Sequence, residues 1–138
     1  MKFADFAAGG SDHPRTPPGD LVGRDHRRAL RSAAAAARPA WASADMARPC
    51  HLTFGTFPAS VAAGINLFDV LAHTWDIAAA TGVALECADD LWQAALEAAR
   101  AVIGPGRDPR QYAPEIPVAA AASPRRRFLA FTGRAEPC

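Results

Sequence analysis

The stretch Val61-Ala-Ala-Gly-Ile-Asn-Leu-Phe-Asp-Val-Leu-Ala-His-Thr-Trp-Asp-Ile-Ala-Ala-Ala-Thr-Gly-Val83 decides the fold. Ile65, Leu67, Phe68, Leu71, Trp75 and Ile77 cover most of the circumference of a helix. A helix apolar nearly all round is a central one, with neighbours on several sides. Pro58 suits a first helical turn and Gly82 a position just past the last, so the helix is predicted over 58–81. Asp69, His73 and Asp76 interrupt its apolar run, and for that reason the stretch does not read as a bilayer span.

Asp69 and His73 stand four residues apart, which places them one above the other on a single helix face, about 5–6 Å apart at Cβ. Burying either group unpaired costs several kcal/mol. A divalent metal satisfies both at once, because imidazole nitrogen and carboxylate oxygen suit zinc first, and also nickel, iron or manganese. Asp76, three residues beyond His73, lies near the same stripe and is placed to orient the imidazole from outside the ligand set. A site needs at least one more protein ligand. The remaining histidines are His13 in a loop, His26 near a helix start and His51 in an extended segment, with His26 and His51 carried as third-ligand candidates. Spacing selects none of them. The metal-free alternative is that Asp69 and His73 hydrogen-bond to each other or to arginines inside a bundle.

Working outward, residues 1–24 read as a loop, rich in Gly, Pro and Asp between Gly9 and Gly23. A helix is predicted over 25–42, with Ala29, Leu30, Ala33, Ala34 and Ala37 opposite Arg27, Arg28 and Arg31, continuing past Pro39 with a kink. Arg48 to Phe57 alternates weakly and predicts a short strand or an extended connection. Another helix is predicted over 88–104, with Asp89 and Asp90 at its positive end and Gly104-Pro105-Gly106 as its stop. Residues 107–138 form a Pro-rich extended tail with a short helical turn from Pro124 to Phe131. Trp41, Trp75 and Trp92 read as core aromatics. The 138 residues bound a single domain.

A net charge of +1 gives no general attraction to nucleic acid or membrane. The arginine runs at Arg24, Arg27, Arg28, Arg31 and at Arg125-Arg126-Arg127 lack interleaved aromatics and read as solvated helix faces. The three cysteines, Cys50, Cys87 and Cys138, have no CxxC spacing, so neither a disulfide framework nor a cysteine metal site is indicated. Met1 to Gly10 does not read as a signal peptide, and a reduced cytoplasm is the expected compartment.

The segments Leu52-Thr-Phe-Gly-Thr-Phe-Pro58, Leu67-Phe-Asp-Val-Leu-Ala-His-Thr-Trp-Asp-Ile-Ala-Ala-Ala-Thr-Gly82 and Phe128-Leu-Ala-Phe-Thr-Gly-Arg134 resemble actinobacterial relatives of mycothiol-dependent maleylpyruvate isomerase, within the DinB-like metal-binding bundles. The likeness runs over most of the chain. It implies an all-α, up-and-down four-helix bundle holding one divalent ion, with Asp69 and His73 as ligands. Asp69 stands where the isomerase has Glu, a shorter reach. The family's remaining histidine lies near the end of a first helix, and Met1-Lys-Phe-Ala-Asp-Phe-Ala-Ala-Gly-Gly10 resembles the segment just after that helix. The resemblance therefore implies a truncated bundle of about three long helices plus a short strand or extended segment.

Two functions follow as expectations. In the first, the metal and mycothiol, or another small-molecule thiol or substrate, make the chain an isomerase or thiol transferase, with Arg48, Arg107 and Arg110 considered for an anionic substrate. In the second, the chain is a non-catalytic bundle that works through self-association as a homodimer or through a partner. Its exposed apolar face would then lie around Ile65 and Phe68.

Overall fold

The computed structural model describes residues 20, 22–52 and 54–136, which form a mainly helical protein with one two-stranded sheet. His13 and Cys138 lie outside the described residues. One compact unit ends at Ala63 and a second begins at Gly64. Among the described residues, no helix is long and apolar enough to cross a membrane.

In the first unit, Asp25 caps α1 (His26–Ala42) by accepting a hydrogen bond from the backbone N–H of Arg28 at 2.9 Å. The helix runs on through Pro39. Ala29, Ala33, Ala37, Ala40 and Trp41 make a half-buried stripe, but no residue of α1 is fully buried. A hairpin follows, where a single strand or extended connection was the expectation. β1 (Pro49–Leu52) pairs antiparallel with β2 (Gly55–Pro58), with Cys50 opposite Phe57 and His51 opposite Thr56. The period of two turns Cys50 inward and leaves His51 exposed. Pro58, expected in the first helical turn, closes β2 opposite Pro49 instead, and α2 (Ala59–Thr81) begins one residue later. The first-turn N–H groups of Ala59 and Ser60 find acceptors at the Arg48 and Met46 carbonyls, 2.8 and 3.0 Å away. The core here is small: Cys50, Ala59 and Ala62, with Trp41 and Leu52 against them.

The second unit holds most of α2, then α3 (Asp89–Ile103) and α4 (Pro124–Phe131). α2 buries Phe68, Leu71, Ala72 and Trp75, and α3 buries Trp92, Ala95, Leu96, Ala99 and Ile103. Both sets have the spacing of one helix face. Gly64 lets the two helices approach closely, since a Cβ there would stand 3.0 Å from that of Ala98. α4 adds Phe128, Leu129 and Phe131, with the Phe128 ring centroid 5.6 Å from that of Trp92. α2 is less enclosed than its composition predicts. Val70 and Ile77 are 56% and 66% exposed, while Phe68 is buried and Ile65 half-buried, so the outward apolar residues are not the expected Ile65 and Phe68.

Candidate functional site

Asp69, His73 and Asp76 follow one another along one face of α2 at spacings of four and three residues. His73 Nδ1 lies 3.1 Å from Asp76 Oδ2. An ionised carboxylate only accepts, so the ring N–H donates. On the other side of the ring, Nε2 faces Asp69 Oδ1 at 3.5 Å. That separation exceeds the roughly 2.7–3.2 Å of a hydrogen bond, so the second nitrogen is turned toward a carboxylate without being bonded to it. The His73 and Asp69 side chains are 65% and 50% exposed, so they border solvent instead of lying in the apolar interior that the surrounding sequence predicts.

Asp76 is held from behind. Arg134 donates from Nε to Oδ1 at 2.7 Å and from Nη2 to Oδ2 at 2.8 Å, a two-pronged guanidinium–carboxylate pair. These hydrogen bonds hold the Asp76 carboxyl below the usual carboxylate range, against the opposing effect of its partial burial; the arginine charge and the His73 contact lower it further.

Local chemistry brings Arg134 to that position. Ser123 caps α4 by accepting from the Arg126 N–H at 3.3 Å, with Pro124 in the first turn. The helix ends at Phe131 with Thr132 as its cap, and Gly133 just beyond adopts a left-handed φ of 79°. The Gly133 N–H reaches the Ala130 carbonyl at 3.1 Å and the Arg134 N–H reaches that of Leu129 at 2.8 Å, the paired bonds of a Schellman turn. Burial of Phe128 and Leu129 anchors that turn, and the residue after the glycine meets α2.

Phe68, Asp69, His73, Tyr112, Thr132 and Arg134 line a cleft of about 200 Å³. Tyr112 reaches it from a turn in which its N–H and that of Gln111 both bond the Asp108 carbonyl at 3.0 Å. Burial raises the Tyr112 phenol above its ordinary pKa, and the Asp69 charge adds to the effect. Arg107, considered for substrate, is occupied by the fold: it donates to the Ala113 and Phe131 carbonyls at 2.7 and 2.6 Å and lies 4.8 Å from the centroid of the Phe131 ring. Arg110 is largely exposed beside Asp108.

The structure brings Asp69, His73 and Asp76 together. His26 begins α1 and His51 lies on β1, where its Nδ1 is 2.9 Å from Thr56 Oγ1; both belong to the first unit. Among the described residues, no group of three or more His, Cys, Asp or Glu side chains is arranged to hold a metal ion. Sequence reasoning missed Arg134 and Tyr112 as cleft residues. Neither has a local spacing signal that ties it to α2.

The class these features define is a mainly helical protein whose cleft carries a histidine between two carboxylates, one of them clamped by an arginine. Two proteins of Mycobacterium tuberculosis, the uncharacterised proteins Rv0738 of strain H37Rv and MT0763 of strain CDC 1551, are each 36% identical to this chain over 132 residues, covering 94% of this chain and 69% of theirs. The chain belongs to the family of these two proteins. No protein-family model matches it, and no solved structure matches it.

Proposed function

We propose that this chain is a divalent-metal-binding protein of the DinB-like class, related to mycothiol-dependent isomerases and thiol transferases. Asp69 and His73 are its ligands on α2, and Asp76 orients His73. The observation that carries this reading is the state of the imidazole. Nδ1 is bonded to Asp76, while Nε2 faces Asp69 Oδ1 across 3.5 Å. Two donors held at about 2.0–2.2 Å from one tetrahedral ion stand roughly 3.3–3.5 Å apart, so the separation of this pair is compatible with two of the ligands of one zinc ion.

Each side chain has a defined part. Asp76 keeps the Nδ1 proton and so presents an unprotonated Nε2, the form that ligates. Arg134 occupies both Asp76 oxygens and keeps that carboxylate out of the ligand set. Asp69 supplies the negative charge that two neutral donors would lack. When bound, the ion would act as a Lewis acid, favouring the thiolate form of a small thiol at an open position. Phe68 and Tyr112 give the cleft one apolar wall and one hydroxyl. The mycobacterial relatives favour an actinobacterial source; mycothiol as the thiol rests on the sequence resemblance, and a cytoplasmic setting on the cysteine pattern.

Calorimetric titration of the chelator-treated protein with zinc tests the reading. One ion per chain is expected, with His73→Ala and Asp69→Ala each weakening binding by roughly tenfold or more. Absence of stoichiometric binding, or an unchanged affinity in His73→Ala, rejects it. A second reading has its own observation: Val70 and Ile77 lie seven residues apart on the exposed face of α2. Self-association through that face predicts a dimer by light scattering that Val70→Asp abolishes.

A further inference from the structure

We infer that Arg134 is a positioning residue for His73: acting through Asp76, it fixes the neutral imidazole as its Nδ1–H tautomer and so leaves Nε2 as the ring's donor atom toward the cleft. An aspartate beside a histidine is by itself a loose anchor. Its side chain rotates freely enough to leave the ring, and the ring can then carry its proton on either nitrogen. Here that freedom is removed. The guanidinium grips Oδ1 through Nε at 2.7 Å and Oδ2 through Nη2 at 2.8 Å, so the plane of the carboxylate is set by a planar fork. Oδ2 then sits 3.1 Å from His73 Nδ1 with lone-pair capacity left for one more donor. Only a protonated Nδ1 satisfies that contact.

The clamp is built to be rigid. Arg134 is only 21% exposed, against 65% for the imidazole it governs. Its backbone N–H is fixed to the Leu129 carbonyl at 2.8 Å by the turn that ends α4. The order Arg134 to Asp76 to His73 thus runs from the most buried member to the most exposed. The inference depends on the metal reading only for the use Nε2 is put to; the hydrogen-bond chain itself needs no ion.

The test is the ring-nitrogen spectrum of His73 in the 15N-labelled full chain, with chelator present and at a pH about two units above the ordinary imidazole value near 6.5. His73→Gln assigns the signals. In wild type, Nδ1 is expected to show the protonated-type shift and Nε2 the unprotonated type. In Arg134→Met the pattern should become a mixture of tautomers, and Arg134→Lys, which offers a cation but no fork, should restore it in part. Asp76→Asn separates positioning from mere stability. Arg134 draws the amide oxygen, the NH2 then faces Nδ1, and the Nε2–H tautomer should become dominant in a chain that still melts cooperatively. An unchanged wild-type pattern in both Arg134→Met and Asp76→Asn, or an Nε2–H tautomer already dominant in wild type, overturns the inference. Because no ion is present in this experiment, failure of zinc titration and failure of the tautomer pattern are distinct results.

Discussion

Asp76, beside the cleft, joins the His73 imidazole to the Arg134 guanidinium, and its charge is therefore tied to the fold. The Arg134 clamp holds its carboxyl below the ordinary value of 3.8. A carboxyl whose folded pKa is depressed contributes stability that is fully present above the unfolded value, and that is lost as pH falls through the folded one. The difference in melting temperature between wild type and Asp76→Asn should therefore be largest at neutral pH and shrink as pH drops below about 4. A difference that stays constant from pH 7 to pH 3 would mean that the ionised carboxylate is not what stabilises. Exposure of 39% keeps the whole effect modest. The sequence made Asp69, His73 and Asp76 legible because helical periodicity alone puts them on one face. Arg134 was not legible as their partner: it lies 58 residues from Asp76, and only the packing of α4 closes that separation.

Two helix ends in the second unit use glycine in the left-handed region, and they make a controlled pair. Gly82 has a φ of 68° with no atom within 4 Å of a Cβ placed on it. Gly133 has a φ of 79°, and a Cβ there would meet the Ala113 Cβ at 2.7 Å and its backbone at 3.0 Å. Gly82→Ala should destabilise by about 1 kcal/mol, the cost of a side chain in that conformation. Gly133→Ala carries the same cost plus displacement of the 113 segment, so its loss should be at least about twice as large. Urea unfolding midpoints of the two variants read this directly, and equal losses would show that the close approach does not constrain the turn. One of these ends was legible, since Gly82 reads as the glycine past the last turn of α2; the caps at Asp25 and Ser123 are findings of the structure. The hairpin was not, because four-residue strands with weak alternation give no signal that separates two paired strands from one extended run. Nor was the exposure of Val70 and Ile77, which depends on which faces of α2 find partners.

Burial is divided unequally over the described residues, and stability should follow it. Among the described residues, the largest fully buried side chains are Trp92, Phe128, Leu96 and Leu129, all in the second unit, with Cys50 the corresponding residue of the first. Trp92→Ala removes about 3–5 kcal/mol of packing, which is a large share of a domain's total of about 5–15 kcal/mol. That variant should lower the melting temperature of the second unit by more than about 10 °C, as read by near-ultraviolet dichroism and tryptophan emission. α1 stands at the other extreme. It has no buried residue, Leu30 is 72% exposed, and its half-buried stripe is alanine apart from Trp41, so little apolar area leaves water when it forms. A 17-residue helix with that packing has to rely on alanine propensity and the Asp25 cap. Its amides between Ala33 and Ala37 should open locally, without global unfolding, whereas those of Leu96 to Ala99 in α3 should exchange only through cooperative opening. Hydrogen exchange followed by mass spectrometry or NMR should show protection in α3 exceeding that in α1 by roughly a hundredfold or more. Comparable protection in the two helices would show that α1 is held by more than its alanine propensity and its cap.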